Sequence, residues 1–153
     1  MICLGADTSA THIIFFIVSV VIALSVSGAF FMNLQSISTS ATMGSKMLSE
    51  QLKTDITVIN DPDVIPYNSS GEVYTFYVKN TGKEDLSAAY VSVLIDGVLI
   101  TDGNINRTVI EGGNVWRAGN VLKVNATASL TSGSHRIRVI ADNGIEDEFE
   151  FRK

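Results

Sequence analysis

The stretch IIFFIVSVVIALSVSGAFFM, residues 13–32, decides how the rest of the chain is interpreted. Its twenty residues include no charged residue and no proline. A helix of that length spans roughly 30 Å, the hydrocarbon thickness of a bilayer. The run is too long for a cleaved secretory signal and has no basic residue before it. We therefore predict one retained transmembrane helix, preceded by a short polar segment, residues 1–12, in which Thr8, Ser9 or Thr11 caps the helix.

Small residues recur at four-residue spacing along this helix. Ser19, Ala23 and Ser27 share one helical face, and Gly28 lies beside them. Small side chains at that spacing let two membrane helices approach closely. The pattern predicts a helix–helix interface, with the ordinary use of small residues in a membrane helix as the alternative.

The helical pattern continues past the span through residues 33–53. An apolar stripe follows it, formed by Met43, Met47, Leu48 and Leu52. We predict one helix from about residue 10 to about residue 53, either unbroken or kinked at Gly44. The part outside the bilayer is then a helical stalk. Its stripe packs either on another subunit or on the β domain of the same chain.

From Thr54 the hydrophobic period changes from that of a helix to that of a strand. Asp96-Gly97 and Asn143-Gly144 are typical of hairpin turns. The alternating segments predict strands at 54–60, 72–79, 89–95, 98–101, 121–127, 136–140 and 145–151. About seven to nine short strands without a second helix predict an all-β immunoglobulin-like sandwich over residues 54–153.

The composition excludes several classes of function. The formal net charge is −5, which argues against nucleic acid as a partner because phosphate binding needs a surplus of Lys and Arg. The single cysteine, Cys3, precedes the span, so the domain has no disulfide. His12 and His135 are the only histidines, and no nucleophile elbow or His/Cys cluster accompanies them. We predict no enzymatic activity, no cofactor, no metal and no small-molecule substrate.

An acidic run near the C-terminal end, Glu146-Asp147-Glu148-Phe149-Glu150, is a weak candidate for calcium binding. The strand period puts its glutamates on one solvated face without a wrapping loop. A charged outer face is therefore the favoured interpretation.

The sequence alone leaves the orientation of the domain open. Lys46 and Lys53 follow the span and only Asp7 precedes it, which weakly favours a cytoplasmic domain. Three N-x-S/T acceptor sequences in the domain favour the opposite side, because N-glycosylation is extracytoplasmic. These candidate glycosylation sites begin at Asn68, Asn106 and Asn125.

Four segments of the chain resemble the archaellum stator proteins of the FlaG type. They are LKTDITVINDP at 52–62, IPY at 65–67, YTFYVKNTG at 74–82 and VLIDG at 93–97. FlaF-type proteins share the strand followed by Lys-Asn-Thr-Gly and the same order of helix, stalk and sandwich. The resemblance covers nearly the whole chain.

That resemblance implies a pilin-like layout in the archaeal cell membrane, with a cytoplasmic N-terminus. It implies a sandwich domain located between the membrane and the S-layer. The implied function is that of a structural stator of the archaellum motor for swimming motility, forming a homo-oligomer through its helix and binding a FlaF-type subunit and the S-layer. The exposed loops Asn80–Asp85 and Ile110–Asn114 are candidates for these contacts.

A pilin- or archaellin-like subunit of a surface filament is the alternative function. Precursors of that class carry a basic residue and a glycine at the cleavage site before the helix. Gly5 has no basic residue before it. The sequence therefore does not predict cleavage there.

Overall fold

The computed structural model describes residues 4–153, with side chains from Ser9 onward. One helix, α1, runs from Leu4 to Lys53. It begins earlier than predicted, so Thr8, Ser9 and Thr11 all lie inside it and the expectation that one of them caps it is wrong. Alanine favours the helix and no proline opposes it in this stretch, which accounts for the earlier start. Cys3 and the residues that precede α1 lie outside the described part of the chain.

Helix α1 has the length and composition of a membrane span. Its most apolar window has a mean hydropathy of 2.7. Ser19 donates its hydroxyl to Phe16 O at 2.8 Å, and Ser25 donates to Val21 O at 2.8 Å. These hydroxyls are thus satisfied within the helix, as an apolar solvent requires. The helix continues through Gly44.

Eleven strands follow the helix within the described residues. They are β1 Ile56–Val58, β2 Tyr67–Asn68, β3 Val73–Asn80, β4 Leu86–Ser87, β5 Ser92–Ile95, β6 Val98–Leu99, β7 Ile105–Val109, β8 Val115–Trp116, β9 Val121–Thr127, β10 Ser134–Ile140 and β11 Glu146–Arg152. The prediction missed β2, β4 and β8, which have two residues each and are too short to show a period. It also missed β7, where Arg107 occupies the middle inward position and interrupts the apolar alternation.

The strands form two principal antiparallel sheets and a small ribbon. The first sheet has the order β1-β3-β9-β7, and β2 also pairs with β3. The second sheet has the order β11-β10-β5-β6, and β4 pairs with β8. The predicted fold class, an N-terminal helix followed by an all-β sandwich, is confirmed.

The core lies between the inner faces of the two sheets. In β3 the alternation buries Tyr74, Phe76 and Val78, as the sequence predicts. Phe76 meets Phe151 of β11 edge-on, with ring centroids 5.2 Å apart. Each fully buried side chain of this size contributes about 1.5–3 kcal/mol to stability. Other members of the core include Trp116, Leu122, Val124, Val93, Ile95, Ile137 and Val139.

Candidate functional site at the junction of helix and sandwich

The last turns of α1 belong to the same compact unit as the sandwich. The chain divides into one unit that ends at Lys46 and a second unit, Met47–Lys153. The second unit therefore contains the helix end and every strand. We call the contacts that hold this helix end the junction, formed by Glu50, Gln51, Lys53, Thr54, Asp55, Gly82, Lys83 and Asn143.

The turn after β3 closes directly on the end of the helix. The backbone N–H of Lys83 donates to Lys53 O at 2.7 Å, and that of Gly82 donates to Asp55 O at 2.9 Å. A Cβ on Gly82 would lie 2.5 Å from both Lys53 O and Asp55 N. Glycine is thus required here because another backbone approaches, which is one of its characteristic uses.

Thr54 satisfies carbonyls that the helix end leaves unpaired. A helix has no internal partners for its last four C=O groups. The Thr54 hydroxyl donates to Glu50 O at 2.8 Å, and its N–H donates to Gln51 O at 3.2 Å. With Lys83 on Lys53 O, three of these carbonyls have partners. The helix end is therefore capped by the sandwich and by the residue that leads into it.

The loop between β10 and β11 is hydrogen-bonded to the same end of the helix. The Asn143 side chain donates to the Thr54 hydroxyl at 2.6 Å, and Gln51 Nε2 donates to Asn143 O at 3.1 Å. Gly144 has a φ of 84°, and the N–H of Ile145 donates to Asn143 Oδ1 at 3.3 Å. The Asn-Gly turn predicted as a hairpin connection thus also holds α1.

A buried asparagine supports the turn that closes on the helix. Asn80 has no exposed surface, and its Nδ2 donates to Glu84 O at 2.9 Å and to Trp116 O at 3.0 Å. Its Oδ1 accepts from the N–H of Gly82 at 3.1 Å. The prediction that Asn80 belongs to an exposed partner loop is wrong, because its amide organises the turn from inside.

Charge contributes little to the junction. Lys53 Nζ lies 3.4 Å from Glu84, and both side chains are substantially exposed. Exposed ion pairs of this kind contribute about 0–1 kcal/mol. The junction therefore depends on backbone fit and on uncharged hydrogen bonds, those of the Thr54 side chain being partly buried.

Outside the junction, the buried side chain of His135 contacts the exposed carboxylate of Asp96. His135 Nδ1 lies 2.7 Å from Asp96 Oδ2, and Nε2 lies 2.8 Å from Thr131 O. Because both partners are acceptors, both ring nitrogens donate in the protonated imidazole. The Asp96 side chain, then the Thr131 carbonyl, raise the pKa of His135 above its ordinary value. The N–H of Arg136, then His135, lower the pKa of Asp96.

The outer face of the second sheet carries a ladder of opposite charges. Arg136 pairs with Glu150 at 2.9 Å, and Arg138 pairs with Glu148. Asp147 lies on the inward side of β11, where its carboxylate accepts from the N–H of Val58 at 2.8 Å. The glutamates face outward as predicted. Among the described residues no three His, Cys, Asp or Glu side chains come together in a group able to hold a metal ion.

The three stripe residues that lie in the same unit as the sandwich do not pack on the sandwich. Met47, Leu48 and Leu52 are 63, 56 and 79% exposed. Met43 is 63% exposed as well. Packing on the chain's own β domain, one of the two predicted alternatives, is therefore wrong for the three stripe residues in the sandwich's unit. The alternative of another subunit stays a prediction.

The remaining candidate residues are placed as follows. Ser19, Ala23, Ser27 and Gly28 lie in the middle of α1, and their role as an interface stays a prediction. The three acceptor asparagines lie on strands of the first sheet, Asn68 in β2, Asn106 in β7 and Asn125 in β9.

Comparison with known proteins identifies similar chains. The pattern of a family described as archaeal-type flagellin matches residues 6–151. Flagella-related protein G of Methanocaldococcus jannaschii is 32% identical over 142 residues, 92% of each chain. Flagella-related protein G of Methanococcus voltae is 33% identical over 149 residues, 94% of this chain and 96% of its own.

Two solved structures from Sulfolobus acidocaldarius are also similar. The archaellum periplasmic stator protein FlaG gives a TM-score of 0.48 at 21% identity, covering 64% of this chain and 99% of its own. The FlaF–FlaG stator complex gives a TM-score of 0.43 at 22% identity, covering 57% of this chain and 85% of the matched one.

Proposed function

Because this chain belongs to the archaeal-type flagellin family, we propose that it is a stator subunit of the archaellum, the rotary motor of archaeal swimming. Two proteins named flagella-related protein G are more than 30% identical to it over nearly their whole length. The segments at 52–62 and 74–82 resemble the FlaG-type stators. A stator performs no chemistry and instead carries load between the cell envelope and the membrane.

The junction is the observation that best fits a load-bearing part. The Gly82 turn and the Asn143 loop engage the last turn of α1 through bonds of 2.6–3.1 Å. A flexible linker would let the sandwich turn freely and would dissipate a torque. Here the sandwich is fastened to the end of a helix whose backbone bonds are internal, so a load on it passes into α1 without unfolding a connector.

The proposed location follows from the same resemblance. The N-terminus is cytoplasmic, α1 crosses the membrane once, and the sandwich lies between the membrane and the S-layer. A FlaF-type subunit and the S-layer are the proposed partners of the sandwich. The exposed loop around Ile110, which is 56% exposed, is one surface available to them.

A single span would be dragged sideways through lipid by a load on the sandwich, so we propose that several copies associate. The small-residue face of Ser19, Ala23 and Ser27 permits close helix packing in the membrane. The exposed Met47 and Leu48 offer an apolar surface to a second subunit beyond it. Association through both parts of α1 would give a homo-oligomeric anchor.

A filament subunit is the second candidate, favoured by the family description of archaeal-type flagellin. The two functions differ in where the protein is found. When filaments are sheared from cells, a stator subunit stays with the membrane fraction and a filament subunit leaves with the filaments.

Sequencing the N-terminus of the native protein gives a second, independent test. A filament subunit processed like a pilin begins at Ala6, directly after Gly5. A stator begins at Met1 or Ile2. Recovery in sheared filaments with a start at Ala6 would reject the stator proposal.

A further inference from the structure

The three acceptor asparagines converge on one surface of the sandwich. All belong to the first sheet, although they are far apart in sequence. Strand β9 buries Leu122, Val124 and Ala126, so Asn125 faces outward. Strand β7 buries Ile105 and Val109. Its Asn106 and Thr108 therefore lie on the same outer face, because side chains alternate across a strand.

Register places two of these asparagines side by side. Asn106 lies directly opposite Asn125, and Asn125 lies directly opposite Thr75 of β3. Directly opposed residues in an antiparallel pair have Cβ atoms about 4.5–5.5 Å apart. An oligosaccharide on Asn106 would therefore cover Asn125.

The three side chains share one hydrogen-bond arrangement. The amide oxygen Oδ1 accepts from Ser70 N in Asn68 at 3.0 Å, from the Thr108 hydroxyl in Asn106 at 3.2 Å, and from the Thr75 hydroxyl in Asn125 at 2.9 Å. Among the described residues, none accepts a hydrogen bond from their Nδ2. By contrast, Nδ2 of Asn80 and of Asn143 donates to partners inside the domain. Nδ2 is the atom that N-glycosylation modifies.

The three acceptor asparagines differ in how exposed they are to solvent. Asn68 is exposed and begins the turn that leads into β3, and Asn106 is exposed on β7, an edge strand of the first sheet. Asn125 is half-buried on β9, between β3 and β7. A transferase can reach a turn and a sheet edge more easily than the middle of a formed sheet.

We propose that the outer face of the first sheet is a glycosylated surface, with N-linked oligosaccharides on Asn68 and Asn106 and an unmodified Asn125. This inference rests on the extracytoplasmic location in the proposed function. The donor is an oligosaccharide on a polyprenyl phosphate. A bond forms between Nδ2 and the anomeric carbon as the bond from that carbon to the phosphate oxygen breaks. The phosphate leaves with the electron pair and Nδ2 loses one proton.

Site-resolved mass spectrometry of the full chain from native membranes tests the proposal. We expect glycan on the Asn68 and Asn106 peptides of the wild type and none on Asn125. Thr108→Ala should remove the Asn106 glycan, whereas Thr108→Ser should keep it, because serine also completes an acceptor sequence. Thr108 is exposed, so both variants should fold. Glycan on Asn125, or a bare Asn68 or Asn106 in the wild type, overturns the proposal.

A second measurement separates this proposal from the proposed location. Intact cells are treated with a membrane-impermeant amine reagent, and labelling of the exposed Lys83 is measured. Labelled Lys83 with bare asparagines rejects the glycosylated face and leaves the stator proposal standing. Unlabelled Lys83 in intact cells, with labelling after lysis, rejects both.

Discussion

Gly82 and Lys53 are in backbone contact, and the space between them admits no side chain. A Cβ on Gly82 would lie 2.5 Å from Lys53 O, the same carbonyl that accepts the Lys83 N–H at 2.7 Å. The end of the helix and the turn after β3 are therefore packed directly against each other, backbone to backbone. This contact gives a physical reason for the glycine that ends the segment YTFYVKNTG.

Gly82→Ala should lower the free energy of unfolding by about 1–3 kcal/mol, because the added methyl group forces the turn away from the helix end. Urea denaturation of the fragment Met47–Lys153 measures the change. Gly103→Ala is the matched control, since nothing lies within 4 Å of a Cβ at Gly103. Equal stability of the two variants would contradict the close fit.

Fragments that begin on either side of the helix end should differ in stability. Thr54–Lys153 is expected to fold as a soluble monomer or weak dimer. It lacks the acceptors of the Lys83 N–H and the Thr54 hydroxyl. Met47–Lys153 keeps them and should be more stable by about 1–3 kcal/mol. Thermal and urea denaturation measure both, and an insoluble shorter fragment would count against a domain boundary at Thr54.

The free energy of unfolding should fall as pH rises above the ordinary histidine pKa of 6.5. The pKa of His135 is raised in the folded state, so the folded protein holds a proton that the unfolded chain releases. The stabilisation is complete below pH 6.5 and is lost as pH rises through the raised value. Urea denaturation of the fragment Met47–Lys153 at several pH values measures it.

The variant His135→Gln is the control for that pH profile. It removes the titrating group, so its profile across the same interval should be flatter than that of the wild type. Stability of the wild type that stays constant or rises from pH 6.5 to 8.5 would show that His135 is not protonated by its contact with Asp96.

Bulky residues on the small-residue face of α1 should weaken association. Ala23→Ile combined with Ser27→Ile widens the approach between two helices. Particle mass of the full chain in detergent should then decrease toward that of one copy. Val21→Ile, on the opposite side of the helix, is the control and should leave the mass unchanged. An unaltered particle in the double variant would exclude this face as the interface.

Periodicity explains which parts of the fold were predictable. In β3 and β9 the apolar residues alternate over seven or more residues, and both strands lie where the sequence predicts them. The Asp96-Gly97 turn also follows the prediction, with positive φ at both residues. The start of α1 was missed because Thr8, Ser9 and Thr11 are of residue types that commonly cap a helix, whereas here they lie inside a helix that begins at Leu4.

The junction was not predictable from local patterns. Its hydrogen bonds join Lys53 to Lys83 and Gln51 to Asn143, which are distant in sequence. The hydrophobic periodicity of a sequence indicates helices and strands but not contacts of this kind. Asn80 lies in a segment interpreted as an exposed loop, and Asn143 lies in one interpreted only as a hairpin turn. The one local signal was that an asparagine and a glycine occur together in each of the two turns. That combination is common in turns that contact another element and in turns that do not, so it could not predict the junction.

The swimming of cells with a loosened junction shows whether load passes from the sandwich into the helix. A flexible insertion of six Gly and Ser residues between Lys53 and Thr54 separates the sandwich from the helix end but leaves both intact. The same insertion between Asp63 and Val64, in the exposed loop between β1 and β2, is the control. With equal amounts of each protein in the membrane, we expect the first insertion to abolish swimming and the second to preserve it. Wild-type swimming with the first insertion would contradict a stator that carries load through this junction.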